Sequence, residues 1–470
     1  MSIHRIFFIE AGAPRFHIFS KFPIARVCTV LLSTILKEQG YEVKAFIEDI
    51  SAPDWIFIEN SDVVCISTLT STAIRAYSIG QRLKAKGIPI IMGGVHPTFM
   101  PEEALQNADF VVRGEGEHSL PELISHIDSG IPSIETIEGV SYRDISGNIL
   151  HNPARRLLAE KELESLPVPD FSLVHKWRPS LIYPVSTSRG CPFNCKFCSV
   201  INMFGRKYRF KSTGKVLKEL KYGDSVSNVT RFFVDDNFSA NRKRTKELLR
   251  EMISENLTSH WTAQLRTDAA ADPVLLRLMA DAGCRTVCIG FESINPGTLD
   301  QYNKKQGLED LDRCIRSIKD HGIHIHGMFV IGSDADTVDV IKKTVDFVIK
   351  KGIETVQLMV LTPLPGTELF KEMVEKGRLL INDWSKFDAH HAVFRPLLMS
   401  AQTLQTETLK GMGRFYSWKY ILKHLTKLDF HYAGIGLYGK KAVNKTLREI
   451  ISYHDKVLSY NPGNIEIHVE

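Results

Sequence analysis

Short apolar runs alternate with amphipathic helical patterns along most of this chain, and this alternation constrains its fold more than any other sequence feature. Within residues 1–135, five runs are predicted to be strands: Arg5–Ile9, Glu42–Phe46, Asp62–Ser67, Ile88–Gly93 and Phe110–Arg113. Strands that alternate with helices are typical of a parallel, doubly wound sheet of the Rossmann type. The pattern lapses over the proline-containing residues 136–180, which are predicted to be a linker.

A second series of strands and helices follows the linker. Its predicted strands are Leu181–Thr187, Thr230–Asp235, Trp261–Leu265, Thr286–Phe291, His326–Ile331 and Thr355–Leu361. Six successive strand–helix units predict a partial (βα)6 barrel over residues 181–380, with its site at the carboxyl ends of the strands. Residues 381–470 are predicted to form a small helical region. The expected fold class is therefore α/β, with three parts.

Small and glycine-rich segments follow three strands of the first domain. They contain Ser67, Thr68 and Thr70, then Gly93, Gly94, Val95 and His96, and then Gly114, Glu115 and Gly116. Ligands of doubly wound sheets bind beyond the carboxyl ends of the strands, and glycine lets the backbone approach a ligand closely. Backbone amides in such turns bind amide groups or phosphate. Three such segments in order predict a ligand site.

Three cysteines, Cys191, Cys195 and Cys198, lie close together just after the first strand predicted for the barrel. Three thiolates suit a soft, thiol-preferring metal centre and leave one coordination position open. A structural zinc site is the alternative, but zinc requires a fourth ligand. No Cys or His occurs in the ten residues after Cys198. The other five cysteines are scattered through apolar segments, as expected of buried residues in a reducing compartment.

The spacing CxxxCxxC, with the aromatic Phe197 before the last cysteine, resembles the signature of the radical S-adenosylmethionine superfamily. This resemblance implies a 4Fe-4S cluster held by the three cysteines, with S-adenosylmethionine bound to the fourth iron. The glycine-rich segments resemble the cobalamin-binding domain that precedes many such barrels, which implies that their ten residues contact cobalamin. The chain departs from the mutase type because it lacks Asp-x-His-x-x-Gly. His17 lacks the flanking Asp and Gly of this motif. His96 is an alternative ligand for the cobalt of cobalamin.

The same resemblance implies that residues near the cluster and at the strand ends contact S-adenosylmethionine. These residues are Phe197, Asp235, Asp236, Gln264, Arg266, Glu292 and Gly332. A helix N-cap role remains open for Asp235 or Asp236, and a salt bridge in the barrel mouth remains open for Arg266 and Glu292. Acidic residues follow Gly332, where relatives often have Gly-x-Pro-Gly-Glu-Thr. No residue is assigned a catalytic role.

The chain resembles the group that contains hopanoid and bacteriochlorophyll methylases and the anaerobic magnesium-protoporphyrin cyclase. This implies methylation of an unactivated carbon of a lipid, porphyrin-like or secondary-metabolite substrate, with cyclisation, oxidation or carbon–carbon coupling as the alternative. A non-catalytic redox or cobalamin sensor is a further alternative from another class. A methylthiotransferase is excluded, because it needs three more cluster cysteines in the N-terminal domain, where only Cys28 and Cys65 occur.

Charge and hydropathy limit the partners. The net charge is +5, from 59 basic and 54 acidic residues, and no dense Lys/Arg block indicates nucleic-acid binding. No secretory signal and no run of about 18 apolar residues is evident, so the protein is predicted to be cytoplasmic and at most peripheral to a membrane. The expected partners are a hydrophobic small-molecule substrate and an electron donor such as flavodoxin or ferredoxin.

Two helices are predicted near the C-terminus, over Leu404–Lys423 and Lys441–Leu458, with a stripe of aromatic residues on the first. Such a stripe is typical of packing between domains. A lid over a hydrophobic substrate and a membrane-surface face are the alternatives.

Overall fold

The structure is a computed structural model, which describes residues 3–13, 23–304 and 306–458; His17 lies outside this part of the chain. The described residues form two compact units. The first unit contains residues 3–13, 23–193 and 199–236, and the second contains residues 194–198, 237–304 and 306–458.

A seven-stranded sheet forms the centre of the first unit. Its strands are β1 (Arg5–Glu10), β2 (Glu42–Ile47), β3 (Val63–Ser67), β4 (Ile90–Gly93), β5 (Phe110–Val112), β6 (Val140–Arg143) and β7 (Ile149–His151). Their order is β2-β1-β3-β4-β5-β6-β7, and the first five strands run parallel. Ile6 of β1 lies opposite Val43 and Val63 of its two neighbours. This confirms the predicted doubly wound sheet.

Helices follow the parallel strands of this sheet. They are α1 (Val27–Glu38), α2 (Trp55–Ile58), α3 (Ala73–Lys84), α4 (Val95–Phe99), α5 (Pro101–Ala104), α6 (Ser119–Ser129) and α7 (Glu160–Ser165). The strands are continuous apolar runs because their side chains are buried on both faces. Ile6, Ile90 and Val111, for example, have no exposed surface.

The antiparallel hairpin of β6 and β7 extends this sheet from the segment that the sequence predicted to be a linker. Strand β6 pairs antiparallel with β5, and β7 pairs with β6. A turn at Asp144–Asn148 joins the two strands; the Asp144 carboxylate accepts hydrogen bonds from Ser146 N at 2.9 Å and Asn148 N at 2.8 Å. Short strands with an edge position carry little apolar periodicity, which explains why the pattern lapsed.

The first unit also contains the beginning of the predicted barrel. Its elements are β8 (Tyr183–Val185), β9 (Ser188–Arg189), α8 (Val200–Phe204), β10 (Arg209–Phe210), α9 (Thr213–Val226) and β11 (Arg231–Phe233). Strands β8 and β11 pair in parallel. Strands β9 and β10 form a short antiparallel pair that flanks the cysteine-containing segment along the chain.

The second unit contains four parallel strands with intervening helices. Its elements are α10 (Arg242–Ser254), β12 (Trp261–Leu265), α11 (Pro273–Asp281), β13 (Cys284–Glu292), α12 (Pro296–Gln301), α13 (Leu308–Asp320), β14 (His324–Ile331), α14 (Val338–Lys350), β15 (Thr355–Val360) and α15 (Glu368–Glu375). The strands pair in chain order. All six strands predicted for the barrel are therefore present, two in the first unit and four in the second.

Three helices end the described chain: α16 (Ala401–Phe415), α17 (Trp418–Thr426) and α18 (Phe430–Leu458). The single helix predicted over Leu404–Lys423 is in fact α16 and α17. The Ser417 side chain accepts a hydrogen bond from Tyr420 N and starts α17 as its N-cap. In the described part of the chain, no helix is long and apolar enough to cross a membrane.

Candidate functional site

A cavity of about 490 Å³ lies in the first unit, at the carboxyl ends of β3, β4 and β5. We call it the larger cavity. This is the edge of a doubly wound sheet at which ligands bind, and its volume is typical of small-molecule and cofactor sites. The first turn of α1 contributes Val27, Cys28 and Thr29 to its wall. Most of the wall is apolar, with contributions from residues such as Leu32 and Leu120.

The larger cavity is lined by most of the residues that the sequence predicted to contact cobalamin. They are Ser67, Thr68, Gly93, Gly94, Val95, Gly114, Glu115 and Gly116. Thr70 and His96 are not in the lining. His96 has no exposed surface; its Nε2 lies 3.0 Å from Tyr77 Oη and its Nδ1 lies 3.3 Å from Thr70 Oγ1. The structure therefore places these two side chains in a buried hydrogen-bonded group.

Gly94 allows the β4–α4 turn to lie directly against the β3 turn. Its φ is +103°, and a Cβ atom here would lie 2.5 Å from the carbonyl oxygen of Thr68. Such a contact is far shorter than van der Waals distance, and the φ value is unfavourable for other residues. Glycine is therefore required for the backbone that forms this part of the cavity wall.

A buried ion-pair network connects the cavity wall to the strands that flank the cysteines. The Glu115 carboxylate accepts hydrogen bonds from Arg189 and Arg209, each at 2.8 Å, and from Leu158 N at 2.7 Å. Burial alone would raise the pKa of Glu115, but the hydrogen bonds from Arg209 and Arg189 outweigh it and hold that pKa below its usual range. Glu115 is therefore a charged structural anchor as well as a wall residue.

Glu117 is the second carboxylate of this network. One of its oxygens, Oε1, accepts a hydrogen bond from Arg189. The other, Oε2, is buried without a hydrogen-bond partner among the described residues, and Glu117 lines the larger cavity. A buried acceptor that makes no hydrogen bond lowers the stability of the fold. This oxygen is therefore available to accept a hydrogen bond from a donor group on a ligand. Sequence reasoning missed Glu117, Arg189 and Arg209; only the repeated glutamates of Gly114-Glu115-Gly116-Glu117 offered a signal.

Asp235 and Asp236 follow β11 and have different environments. Asp235 accepts hydrogen bonds from Thr187 N and Thr187 Oγ1, both at 3.1 Å, and from the Ser188 hydroxyl. Asp236 lines the larger cavity. Burial, together with the charge of Asp235, raises the pKa of Asp236 to about 7. Neither aspartate is a helix N-cap, since Asn241 caps α10.

The cysteine-containing segment is divided between the two units. In the first unit, Cys191 N donates to Gly205 O at 3.2 Å. In the second unit, Cys198 N donates to Cys195 O at 3.1 Å, and Leu369 N donates to Lys196 O at 3.2 Å. All three cysteines are partly exposed. No three His, Cys, Asp or Glu side chains in the described ranges are grouped to hold a single metal ion.

A smaller cavity of about 220 Å³ lies beside Phe197 in the second unit. The Phe197 ring packs edge-to-face on Tyr302, with 4.9 Å between ring centroids. Ser333 and Asp334, which follow Gly332, also line this cavity, as does Leu361 after β15. The cysteine segment and the turn after β14 therefore share one pocket.

Glu292 ends β13 in an unusual backbone conformation. Its φ is +61°, and left-handed backbone at a residue other than glycine is often associated with function. Its carboxylate forms an ion pair with the buried Lys304, whose Nζ also donates to Gly290 O at 2.8 Å. The salt bridge left open for Glu292 is therefore present, with a partner that the sequence did not identify.

Gln264 and Arg266 lie on and just after β12. Gln264 is opposite Cys288 of β13, which is opposite His326 of β14. These three side chains form a partly exposed polar row across the sheet. Arg266 Nε lies 3.6 Å from the Asp268 carboxylate. Neither Gln264 nor Arg266 lines either of the two cavities.

The acidic turn after Gly332 is stabilised by its own side chains. Asp336 is fully buried and accepts hydrogen bonds from Gly332 N at 2.9 Å and Ser333 N at 3.0 Å. Asp334 forms a bidentate ion pair with Arg378, at 2.6 and 2.8 Å. The departure from the usual turn sequence therefore has a structural explanation within the second unit.

Two family models match this chain. The model described as the radical SAM superfamily matches residues 185–348, and the model described as the B12 binding domain matches residues 26–124. The larger cavity is lined from both matched regions, since Gly93 and Gly94 lie in the second and Ser186 and Asp236 in the first.

Proteins with similar sequences are known. The bacteriochlorophyllide d C-12(1)-methyltransferase of Chlorobaculum tepidum is 31% identical over 372 residues, which cover 77% of this chain and 76% of that protein. The anaerobic magnesium-protoporphyrin IX monomethyl ester cyclase of Rubrivivax gelatinosus is 28% identical over 418 residues, which cover 84% of this chain and 74% of the cyclase.

A similar fold occurs in a solved structure, that of the radical S-adenosylmethionine methyltransferase TsrM from Kitasatospora setae with cobalamin and a 4Fe-4S cluster bound. The TM-score is 0.74 at 16% identity, and the match covers 95% of this chain and 100% of that chain.

Proposed function

This chain belongs to the family of radical S-adenosylmethionine enzymes that carry a B12-binding domain, and we propose that it methylates an unactivated carbon of a hydrophobic small molecule. Its cofactors are a 4Fe-4S cluster, S-adenosylmethionine and cobalamin. When bound, the cluster and S-adenosylmethionine supply a radical that removes a hydrogen atom from the substrate carbon, and cobalamin supplies the methyl group. The protein positions these groups and excludes water.

One observation carries the proposal: the larger cavity is lined from both family regions. The turns after β3, β4 and β5, which lie in the region matched by the B12-binding model, form one part of its wall. Ser186, Ser188 and Asp236, which lie in the region matched by the radical SAM model, form another part. Methyl transfer between a corrinoid and a substrate radical requires the two reacting centres to be close together. A cavity shared by both regions supplies that proximity.

The chemistry of the cavity wall fits cobalamin. A corrin ring is a broad apolar macrocycle with carboxamide groups at its edge, and the wall offers apolar side chains such as Leu69 and Leu120. The buried Glu117 Oε2, for which the described part of the chain supplies no hydrogen-bond partner, can accept a hydrogen bond from a carboxamide. The described lining contains no histidine, so we propose that cobalamin binds without a histidine ligand from these residues.

We propose that Cys191, Cys195 and Cys198 bind the cluster, because thiolates are the usual protein ligands of such clusters. Partial exposure of all three thiols is consistent with this role. Phe197 and Gly332 are proposed to contact S-adenosylmethionine; they are next to or within the lining of the smaller cavity. Asp236 is the better candidate of its pair for a ligand contact, because the Asp235 carboxylate is held by Thr187 and Ser188.

A hydrophobic substrate of the porphyrin-like or lipid class is proposed from the relatives, one of which is named for a bacteriochlorophyllide. The electron that starts the reaction must come from a reductant, and we propose a flavodoxin or ferredoxin.

The test uses anaerobically reconstituted holoenzyme with S-adenosylmethionine whose methyl group carries deuterium. Candidate chlorin, porphyrin and triterpenoid substrates are incubated with the enzyme and a reductant, and products are analysed by mass spectrometry. We expect 5′-deoxyadenosine together with a product that has gained one deuterated methyl group. Enzyme that retains its cluster but forms no 5′-deoxyadenosine with any substrate would instead support the sensor alternative.

Radical cyclisation or oxidation is the second candidate function, because the magnesium-protoporphyrin cyclase matches a larger share of this chain, 84%, than the methyltransferase does. The same assay separates the two. A cyclase or oxidase forms 5′-deoxyadenosine, and its product has lost hydrogen or gained oxygen but carries no deuterated methyl group.

A further inference from the structure

Helix α17 and the chain that leads from it into the first residue of α18 expose five large apolar side chains. Trp418, Leu422 and Leu425 are 58%, 56% and 40% exposed, and Leu428 and Phe430 are 76% and 69% exposed. The first three are spaced i, i+4, i+7 and therefore share one face of the helix. We call these five residues the α17 apolar face. Single exposed apolar residues are ordinary, but a contiguous group indicates an interaction surface.

The opposite face of α17 is firmly attached to the second unit. Ile421 is 1% exposed, and the Tyr420 hydroxyl donates a hydrogen bond to Glu354 O at 2.6 Å. The preceding Tyr416 hydroxyl lies 2.9 Å from Val356 O, to which it donates. The helix is therefore held in place by its inner side, and its outer apolar side is presented to solvent as a fixed surface.

Lysines alternate along the chain with the residues of the α17 apolar face. Between residues 417 and 441 the chain has five lysines and a single acidic residue, Asp429. Lys419, Lys423 and Lys427 are exposed and form no ion pair with a carboxylate of the described residues. Asp429 is already engaged, since its carboxylate accepts a hydrogen bond from His424 Nδ1 at 3.1 Å. Lys440 Nζ lies 5.6 Å from the centre of the Trp418 ring.

We propose that the α17 apolar face docks this protein on the surface of an anionic lipid bilayer. Apolar side chains with lysines at their edge match the two layers of such a surface: the apolar groups enter the acyl boundary and the ammonium groups meet anionic headgroups. Tryptophan favours this interface because its ring is amphipathic. The helix is too short to span a bilayer. This inference does not depend on the proposed reaction.

The test is sedimentation of the full-length holoenzyme with lipid vesicles. Vesicles of phosphatidylcholine alone are compared with vesicles that contain one third phosphatidylglycerol. We expect binding to the anionic vesicles, weakened by salt, and little binding to the neutral ones. Each lysine near an anionic surface contributes about fivefold to affinity, so replacing Lys419, Lys423 and Lys427 by Gln should weaken binding about 100-fold.

Two further variants separate the apolar from the electrostatic contribution. L422Q should also weaken binding to anionic vesicles, whereas I349Q, which changes an exposed apolar residue on α14, should not. Replacement of Lys243, Lys342 and Lys350 by Gln is the matched charge control, because these lysines on α10 and α14 are exposed and form no ion pair with a carboxylate of the described residues; it should leave vesicle binding unchanged. Unchanged thermal stability of each variant shows that folding is retained.

Two results would overturn the proposal. One is equal binding of wild type and the triple-lysine variant to anionic vesicles. The other is a wild-type protein that does not sediment with any vesicle. If this protein also associates with itself or with a protein electron donor, and L422Q disrupts that association, the α17 apolar face is assigned to a protein partner.

Discussion

Asp235 and Asp236 illustrate how two adjacent residues of the same type acquire different roles. The Asp235 carboxylate is fixed by hydrogen bonds from Thr187 and Ser188. Asp236 lines the larger cavity, where burial and the charge of Asp235 raise its pKa to about 7. Sequence alone named both residues but could not choose between them, because the choice depends on partners almost 50 positions away in the chain.

This pKa predicts a pH dependence of stability in the cofactor-free protein. The Asp236 carboxyl loses its proton near pH 3.8, its ordinary pKa, when the chain is unfolded, and near pH 7 when it is folded. Between these values the folded state binds more protons, so the free energy of unfolding should fall as the pH rises through that window. Asp236→Asn should remove most of this fall, on the order of 3 kcal/mol. Urea unfolding at several pH values measures the effect.

The control for this measurement is Asp339→Asn, which changes an aspartate that is 65% exposed in its side chain. It should leave the pH dependence as in the wild type. A wild-type stability that is flat between pH 4 and 7, or one that falls with pH to the same extent in Asp236→Asn, contradicts the assignment.

Cysteine substitution tests the proposed cluster ligands. Cys195→Ala should remove the iron–sulfur absorbance and most of the bound iron, because three thiolates are needed to hold the cluster. The corrinoid bands should remain, since the proposed cobalamin contacts lie elsewhere. Cys314→Ala, at a residue that is 1% exposed on α13, is the control and should retain iron. Unchanged iron content in Cys195→Ala would show that this residue is not a ligand.

Among the secondary-structure elements, the β9–β10 pair is connected to the wall of the larger cavity by buried ion pairs. Arg189 of β9 and Arg209 of β10 both donate to Glu115 in the turn after β5. Arg189 is also two residues before Cys191 along the chain. These ion pairs therefore hold the backbone that leads into the cysteine segment next to the turn that lines the cavity.

Removal of the Glu115 charge should strongly lower the free energy of unfolding. Glu115→Gln leaves two buried guanidinium groups with less compensation, and breaking such a pair costs about 3–5 kcal/mol. Glu122→Gln is the matched control, because the Glu122–Arg155 pair is more exposed and should contribute about 1 kcal/mol or less. Guanidinium unfolding of both variants measures the difference. Equal losses would show that the Glu115 network does not stabilise the fold more than an ordinary surface pair.

Gly94 is the residue on which the β4–α4 turn depends. Gly94→Ala places a Cβ atom against Thr68 O in a backbone region that L-residues rarely adopt, so it should lower stability and weaken cobalamin binding. Gly87→Ala is the matched control, because Gly87 also has a positive φ, of +74°, but a Cβ atom there would meet nothing within 4 Å. A visible-absorbance titration with hydroxocobalamin measures binding. If both variants bind cobalamin equally well, the turn is not part of the site.

The sequence predicted the elements that have strong periodicity. Strands such as Ile90–Gly93 and Trp261–Leu265 were predicted within two residues of their bounds. The β6–β7 hairpin was missed because its strands are short and lie at the edge of the sheet. The residues Arg189, Arg209 and Lys304 were missed for a different reason: an arginine or lysine has no local pattern that reveals a buried partner, and these ion pairs form only after folding.

At the scale of the whole molecule, function follows from bringing two family regions to one cavity. Neither the B12-binding region nor the radical region alone would place a methyl donor beside a radical site. The larger cavity has residues of both in its wall, and this supports a chemistry in which both cofactors act on one substrate. No residue of the α17 apolar face is in the described lining of this cavity.

The metal content of protein purified without oxygen from cells supplied with cobalamin tests the proposed chemistry most sharply. We expect about four iron atoms and about one cobalt atom per chain, with negligible zinc. Zinc in place of iron would contradict the cluster and the radical chemistry that depends on it. Iron without cobalt would contradict the methyl-transfer function while leaving the radical enzyme in place.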